Sequence, residues 1–259
     1  MQRENGFEVV RRHSWVWLLP TALSLVGLMI SLAVGLMPAV KPGIHLKLVV
    51  PNGMPSVDSI LQLETSDIGV ALSPSVLLLG LFSMALSAFL SGGWLSGVFA
   101  AIKGQADVLS QEAFMERGRY FFGRLLGARV LTFIGTLVAV FGVGLLLGPL
   151  ALLMLLVAMV FTFFWELAIV REDLSIGDGF SRGYQLMRAN LGEVISTALP
   201  IALASSLISA VANLAAQSFI GYVALIPIWS FIGSAFAVTI CGLYDRLVED
   251  PRPPHVPQM

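Results

Sequence analysis

A glutamate stands at position 166 inside the apolar run FFWELAIVRED. Ionisable groups in such runs are costly and commonly mark an ion or substrate path. Glu166 could relay a proton or cation, or it could pair with Arg171 or Arg129 or reach out to water. Asn213 and Gln217, near the end of a later apolar run, are the other polar residues that could line an intramembrane cavity or bond between helices. Four carboxylates, Glu112, Glu116, Asp173 and Asp178, flank apolar stretches and would support lipid chemistry if several met in one pocket. Their helical spacing divides them between solvated faces instead. His13, His45 and His255 have no partner at metal-ligand spacing, and Cys241 is the single cysteine. No glycine-rich phosphate loop follows a strand and no nucleophile elbow is present. These residues point away from an enzyme, and they call for no metal and no cofactor.

The densest positive charge lies in ERGRYFFGRLLGAR, Glu116 to Arg129, and SRGYQLMRANLGEV from Ser181 to Val194 echoes it. A shift of 65 residues, 117 to 182, superposes Leu109-Ser110 on Leu174-Ser175, Arg117-Gly118 on Arg182-Gly183 and Leu126-Gly127 on Leu191-Gly192. Helical spacing gathers Phe114, Met115, Phe121, Phe122, Leu125 and Leu126 on one face, with Glu112, Glu116, Arg117, Arg119, Tyr120 and Arg124 opposite. The second segment sets Ile176, Phe180, Tyr184, Leu186, Met187 and Leu191 against Asp178, Gln185 and Arg188, with Asn190 as the exception. Ser110 and Ser175 stand where N-caps belong, and Asp178 suits the positive end of a helix. Two basic amphipathic helices, about 109–127 and 174–192, are expected to lie at a membrane surface with their arginines among headgroup phosphates. Arg117, Arg119, Arg124, Arg129, Arg182 and Arg188 are the candidate contacts to lipid headgroups or to a partner. Nucleic acid is not an expected partner, because the basic residues are gathered at membrane boundaries.

The elements that must position these groups are spans. The chain is 57% hydrophobic and 12% charged, against about 25% charged residues in a soluble domain. Runs near 15–37, 75–101, 128–147, 150–170, 194–216 and 220–243 are each long enough to cross a bilayer, which takes about 20 apolar residues. The first is too long for the core of a cleaved signal peptide and reads as a retained helix. Gly148-Pro149 forces a hairpin between the third and fourth, while Pro200 and Pro227 interrupt the fifth and sixth and leave a re-entrant segment open. GGWLSG, the serines 83, 87 and 91, and the stripe Ala202, Ser205, Ser209, Ala212 suit close helix packing.

Of the 15 Lys and Arg, only Lys41 and Lys47 fall on one side of such a bundle, so both termini are expected in the cytoplasm. The loop over 38–73, with strand alternation at GIHLKLVVP and helical spacing after Ser56, reads as a small outer cap. The tail 245–259 is proline-rich and is expected to be disordered. The expectation is an all-α integral membrane protein: a single polytopic domain over 1–244, a six-helix transmembrane bundle with two cytoplasmic amphipathic helices and a small extracytoplasmic loop.

Paired units of span, Ser-capped helix with Arg-Gly, and span, carried by LSQEAFMERGRYFFGRLLG and AIVREDLSIGDGFSRGYQLMRANLG, resemble the polytopic membrane domain attached to some bacterial glycerophosphoryl diester phosphodiesterases. The resemblance covers about Leu77 to Tyr244. It implies a membrane module of a prokaryotic inner membrane. In that family the phosphodiesterase chemistry belongs to a separate soluble domain, for which six spans leave no room, so no catalytic residue carries over. The function expected is that of a scaffold, accessory subunit or lipid-organising factor, with anionic lipids and a larger membrane assembly as partners. A transporter or channel for a small or amphiphilic molecule is the alternative, and a membrane-embedded lipid enzyme stands third.

Overall fold

The structure, a computed structural model, describes residues 6–33, 74–105, 110–138, 162–215 and 219–249. All regular structure among these residues is helical: α1 Gly6–Arg12, α2 Trp15–Ala33, α3 Pro74–Ile102, α4 Gln111–Leu137, α5 Trp165–Arg171, α6 Ile176–Ala189, α7 Leu191–Ala215 and α8 Phe219–Glu249. The expected outer cap, the Gly148-Pro149 hairpin, Gln217 and the end of the tail lie outside the described residues.

Among the described residues two stretches are long and apolar enough to cross a membrane, Gly80–Ile102 in α3 and Val223–Glu249 in α8. Shorter apolar stretches run over Trp15–Val26 in α2 and Leu191–Ser205 in α7. The expected third and fourth spans run on into residues outside the description.

Three features differ from the sequence reading, the first being that α8 runs on to Glu249, so residues 245–249 of the tail expected to be disordered are helical. Pro200 and Pro227 do not break their helices, since α7 and α8 run through them. A proline removes one backbone donor, and an apolar helix absorbs that loss where neighbouring turns keep their bonds. The first amphipathic segment is not a separate helix either: α4 carries it without a break into the apolar stretch beyond Ala128. Its counterpart does stop. Asn190 leaves helical geometry at φ −124°, ψ 26°. Its amide Nδ2 donates to the Leu186 carbonyl at 3.1 Å and its own carbonyl accepts from Val194 at 3.0 Å. Asn190 therefore closes α6 and opens α7, and its burial is explained by these bonds.

The chain's contacts gather into two compact units: residues 1–87, 100–107 and 195–242 in the first, and 88–99, 108–194 and 243–259 in the second. In the first, α1 and α2 meet α8. Phe7 sits edge-on to Phe236 at 6.0 Å, Trp17 edge-on to Phe231 at 5.9 Å, and Ser234 Oγ donates to the Val16 carbonyl at 3.2 Å. Val9, Val10 and Val16 are buried. The polar side chains of α2 bond within their own helix, Thr21 to the Trp17 carbonyl and Ser24 to the Pro20 carbonyl, both at 2.8 Å. Such back-bonding lets hydroxyls lie in apolar surroundings.

The second unit packs α4, α5 and α6 with residues 88–99 of α3 and the end of α8. Its core holds Trp94, Phe121, Leu125, Phe164, Ile169, Met187 and Tyr244. Phe164 lies edge-on to Tyr244 at 5.2 Å and Trp165 edge-on to Phe180 at 5.2 Å. The Trp165 indole donates to the Ile176 carbonyl at 2.7 Å, tying α5 to the first turn of α6.

Candidate functional site

The echoed segments fold alike in the second unit. Ser110 is extended at φ −69°, ψ 158° and its Oγ accepts from Ala113 N at 3.1 Å. Ser175, at φ −67°, ψ 168°, accepts from Asp178 N at 3.2 Å and donates to Asp178 Oδ2 at 2.6 Å. Each cap satisfies one of the orphan donors of its helix.

The shared Arg-Gly also has a physical reason. A Cβ on Gly118 would lie 2.8 Å from the Phe89 carbonyl oxygen. A Cβ on Gly183 would lie 3.1 Å from the Phe164 carbonyl carbon and 3.2 Å from Trp165 N. In both places a glycine lets a capped helix seat on the backbone of a preceding helix, within α3 at Phe89 and at the start of α5 at Phe164 and Trp165. The third echoed pair is not alike, since Gly127 faces Ile176 and Gly192 has open space.

The arginines divide into two sets. Arg117, Arg119 and Arg188 are exposed. Arg124, Arg129 and Arg182 hydrogen-bond to carboxylates of the protein itself. Arg124 Nη1 donates to Asp173 Oδ1 at 2.6 Å and to the Leu174 carbonyl at 3.3 Å, while Nη2 reaches the Tyr120 hydroxyl at 3.3 Å. The Tyr120 hydroxyl donates to Asp173 Oδ2 at 2.9 Å. Arg129 meets Glu166 with two nitrogens, Nε to Oε1 at 2.8 Å and Nη2 to Oε2 at 2.9 Å, and Nη2 also donates to Ser91 Oγ at 2.8 Å. Arg182 Nε donates to both oxygens of Glu172, at 3.2 and 3.0 Å, and Glu172 Oε1 accepts from the Tyr244 hydroxyl at 2.5 Å.

Two further ties fix the end of α8. Arg171 pairs with Asp245 and lies 3.5 Å from Glu249, and Arg246 meets Glu193 at 2.6 Å. The sequence reading singled out neither Glu172 nor Tyr244, Asp245 or Glu193. Arg182–Glu172 lies ten residues apart and Tyr244–Glu172 lies 72 apart, separations that no helical periodicity reports. Tyr120 and Arg124, four residues apart on one face, were open to being read as a pair.

Asp173 carries the site's one backbone irregularity among the described residues outside glycine, a left-handed φ of 56°. It stands two residues beyond the last turn of α5, where glycine is the usual occupant. A left-handed conformation costs an ordinary L-residue about 1–2 kcal/mol, and aspartate tolerates it best alongside asparagine. The neighbouring Arg124 guanidinium, then the Tyr120 hydroxyl, hold its carboxyl below the usual carboxylate range, and Arg117 adds a weaker attraction through space.

The carboxylates Glu112, Glu116 and Asp178 lie on separate surfaces of α4 and α6. Glu112 and Glu116 line an open groove with Gln111, Met115 and Arg119, all from α4. Asp178 caps α6. Asn213 lies in α7. Among the described residues no group of three or more His, Cys, Asp or Glu is arranged to hold a metal ion. The expected apolar face is only half covered: on α6 Leu186 and Met187 are buried with Gly179 and Gly183, whereas Phe180 and Tyr184, and Leu191 at the start of α7, remain exposed.

Comparison with protein-family models, with curated proteins and with solved structures returns no match.

Proposed function

We propose that the chain is a non-catalytic, multi-pass integral membrane protein, with both termini cytoplasmic, that serves as a scaffold, accessory subunit or lipid-organising factor. One observation carries this reading. Along α7, Leu191, Ile195, Leu199, Leu203 and Leu207 recur every fourth residue and are 40% to 69% exposed. Burying a Leu or Ile side chain is worth about 1.5–3 kcal/mol, so a half-exposed stripe of this length forfeits on the order of 5 kcal/mol in water. A whole domain's stability is only about 5–15 kcal/mol. Acyl chains remove that cost. Leu81, Phe82 and Leu86 on α3 and Leu131, Phe133 and Ile134 on α4 are exposed in the same way.

The arginine-bearing segments supply the polar counterpart. Exposed Arg117, Arg119 and Arg188, with the half-exposed aromatics Phe180 and Tyr184, suit the headgroup layer of an anionic leaflet. The paired, capped units favour kinship with the membrane module named above. The non-catalytic reading is supported by the carboxylates Glu166, Glu172, Asp173, Glu193 and Asp245, each held by an arginine.

Single cysteines at Lys47 and at Arg119, in a Cys241→Ala background, test the arrangement with a membrane-impermeant maleimide. Position 47 should label in intact cells and position 119 only after permeabilisation. Recovery of the chain in the soluble fraction, or labelling of both positions from the same side, would overturn the proposal.

A further inference from the structure

The ion pairs of the second unit are not equally closed. Arg129 and Glu166 meet fork to fork, two nitrogens on two oxygens, with their side chains 19% and 34% exposed. Arg124 and Asp173 do not. Only Nη1 reaches the carboxylate, and the side chains are 31% and 56% exposed. The remaining contacts of Nη1 and Nη2, to the Leu174 carbonyl and the Tyr120 hydroxyl, are both long at 3.3 Å. A planar guanidinium is best satisfied by two parallel charge-assisted bonds, and a phosphate supplies both while leaving a third oxygen for another donor. That donor is in place, because the Tyr120 hydroxyl already points at an anion, Asp173 Oδ2, at 2.9 Å. The group that fills the position sits on a left-handed residue where glycine would relieve the backbone. The carboxylate is thus present at a site whose turn does not require it.

We infer that Tyr120 and Arg124 form a phosphate-binding site which the Asp173 carboxylate occupies from within, and that an incoming phosphate group displaces it. No bond is made or broken beyond hydrogen bonds. The same chemistry serves an anionic phospholipid headgroup and a soluble phosphate, and only the choice between these sources rests on the membrane reading.

The test titrates the full chain, purified in a neutral detergent, with two probes: inorganic phosphate and a short-chain phosphatidic acid. Asp173→Asn keeps the left-handed turn and removes the internal competitor. Affinity should rise about two- to fivefold, the range in which an exposed ion pair contributes. Arg124→Gln should abolish saturable binding, and Tyr120→Phe should weaken it about threefold, as loss of one hydrogen bond does. Asp173→Gly repeats the removal with an unstrained backbone, so the result does not depend on one variant folding well. Tightening for the lipid alone assigns the site to a headgroup, and equal tightening for both probes assigns it to soluble phosphates. Asp173→Asn or Asp173→Gly binding neither probe more tightly than the parent, or Arg124→Gln binding as well as the parent, would overturn the inference. The phosphate titration needs no bilayer, so a chain that proved soluble would sink the membrane reading and leave this result standing.

Discussion

Glu166 shows how a carboxylate is accommodated in a run of Phe, Trp, Leu and Ile. Both of its oxygens are engaged by Arg129, and Ser91 accepts a further bond from the same guanidinium. Removing one partner strands the other in low-dielectric surroundings, whereas removing both need not. Glu166→Gln should therefore cost about 2 kcal/mol, somewhat below a fully buried pair because Glu166 is one-third exposed. The double variant Arg129→Met with Glu166→Leu should be more stable than either single change, as read from thermal unfolding in detergent. A loss in the double variant equal to the sum of the two single losses would show that Arg129 and Glu166 contribute independently. Arg129 stood in the sequence as one of two partners for Glu166, because span ends bring such residues to one level. Ser91, 38 residues from Arg129, and Asp173, 49 residues from Arg124, did not. Their meeting is a product of tertiary packing, which leaves no local trace.

At the scale of elements, what was legible was what is local. Ser110 and Ser175 act as caps because a hydroxyl at that position can reach only its own helix's first turn. The Arg-Gly echo was visible as letters, while its reason, a glycine against a neighbouring backbone, needed the packed structure. Gly118→Ala and Gly183→Ala should each destabilise by about 1–3 kcal/mol, the usual cost of overpacking. Gly123 in α4 has open space around its would-be Cβ. Gly123→Ala should raise stability by up to about 1 kcal/mol through helix propensity. Circular dichroism melts of the three variants check both signs, and a neutral Gly118→Ala would mean that α4 can back away from Phe89. The proline reading failed at this scale, since α7 and α8 pass through Pro200 and Pro227. Residue propensity alone overstates how readily one proline breaks a long helix.

For the whole molecule, composition and the lopsided distribution of basic residues carried the sequence reading, because both are sums that survive errors in any one boundary. The gathering of contacts into two units was not legible, since each unit draws on segments far apart in the chain. The membrane proposal makes a prediction of opposite sign from a water-soluble fold. Leu203 and Leu207 are 59% and 69% exposed. A lysine at the centre of a membrane helix costs about 2.5–3.5 kcal/mol, so Leu203→Lys with Leu207→Lys should drive the chain out of the membrane fraction into aggregates or degradation. On a surface facing water the same pair would be neutral or would improve solubility. Fractionation and recovered yield of the double variant separate the two.

The difference between the echoed helices at Asn190 bears on how the molecule would transmit a load. Helix α4 runs unbroken from its capped, charged turn into its apolar half, so it behaves as a rigid lever: tilting one end must tilt the other. On the second side the corresponding stretch is jointed, with α6 ending and α7 beginning at one residue whose side chain bonds back to Leu186. A tilt at the Arg117 turn is carried along α4, whereas the Arg182 turn joins α7 through the bonds at Asn190. Two segments alike in sequence thus become one continuous arm and one jointed arm.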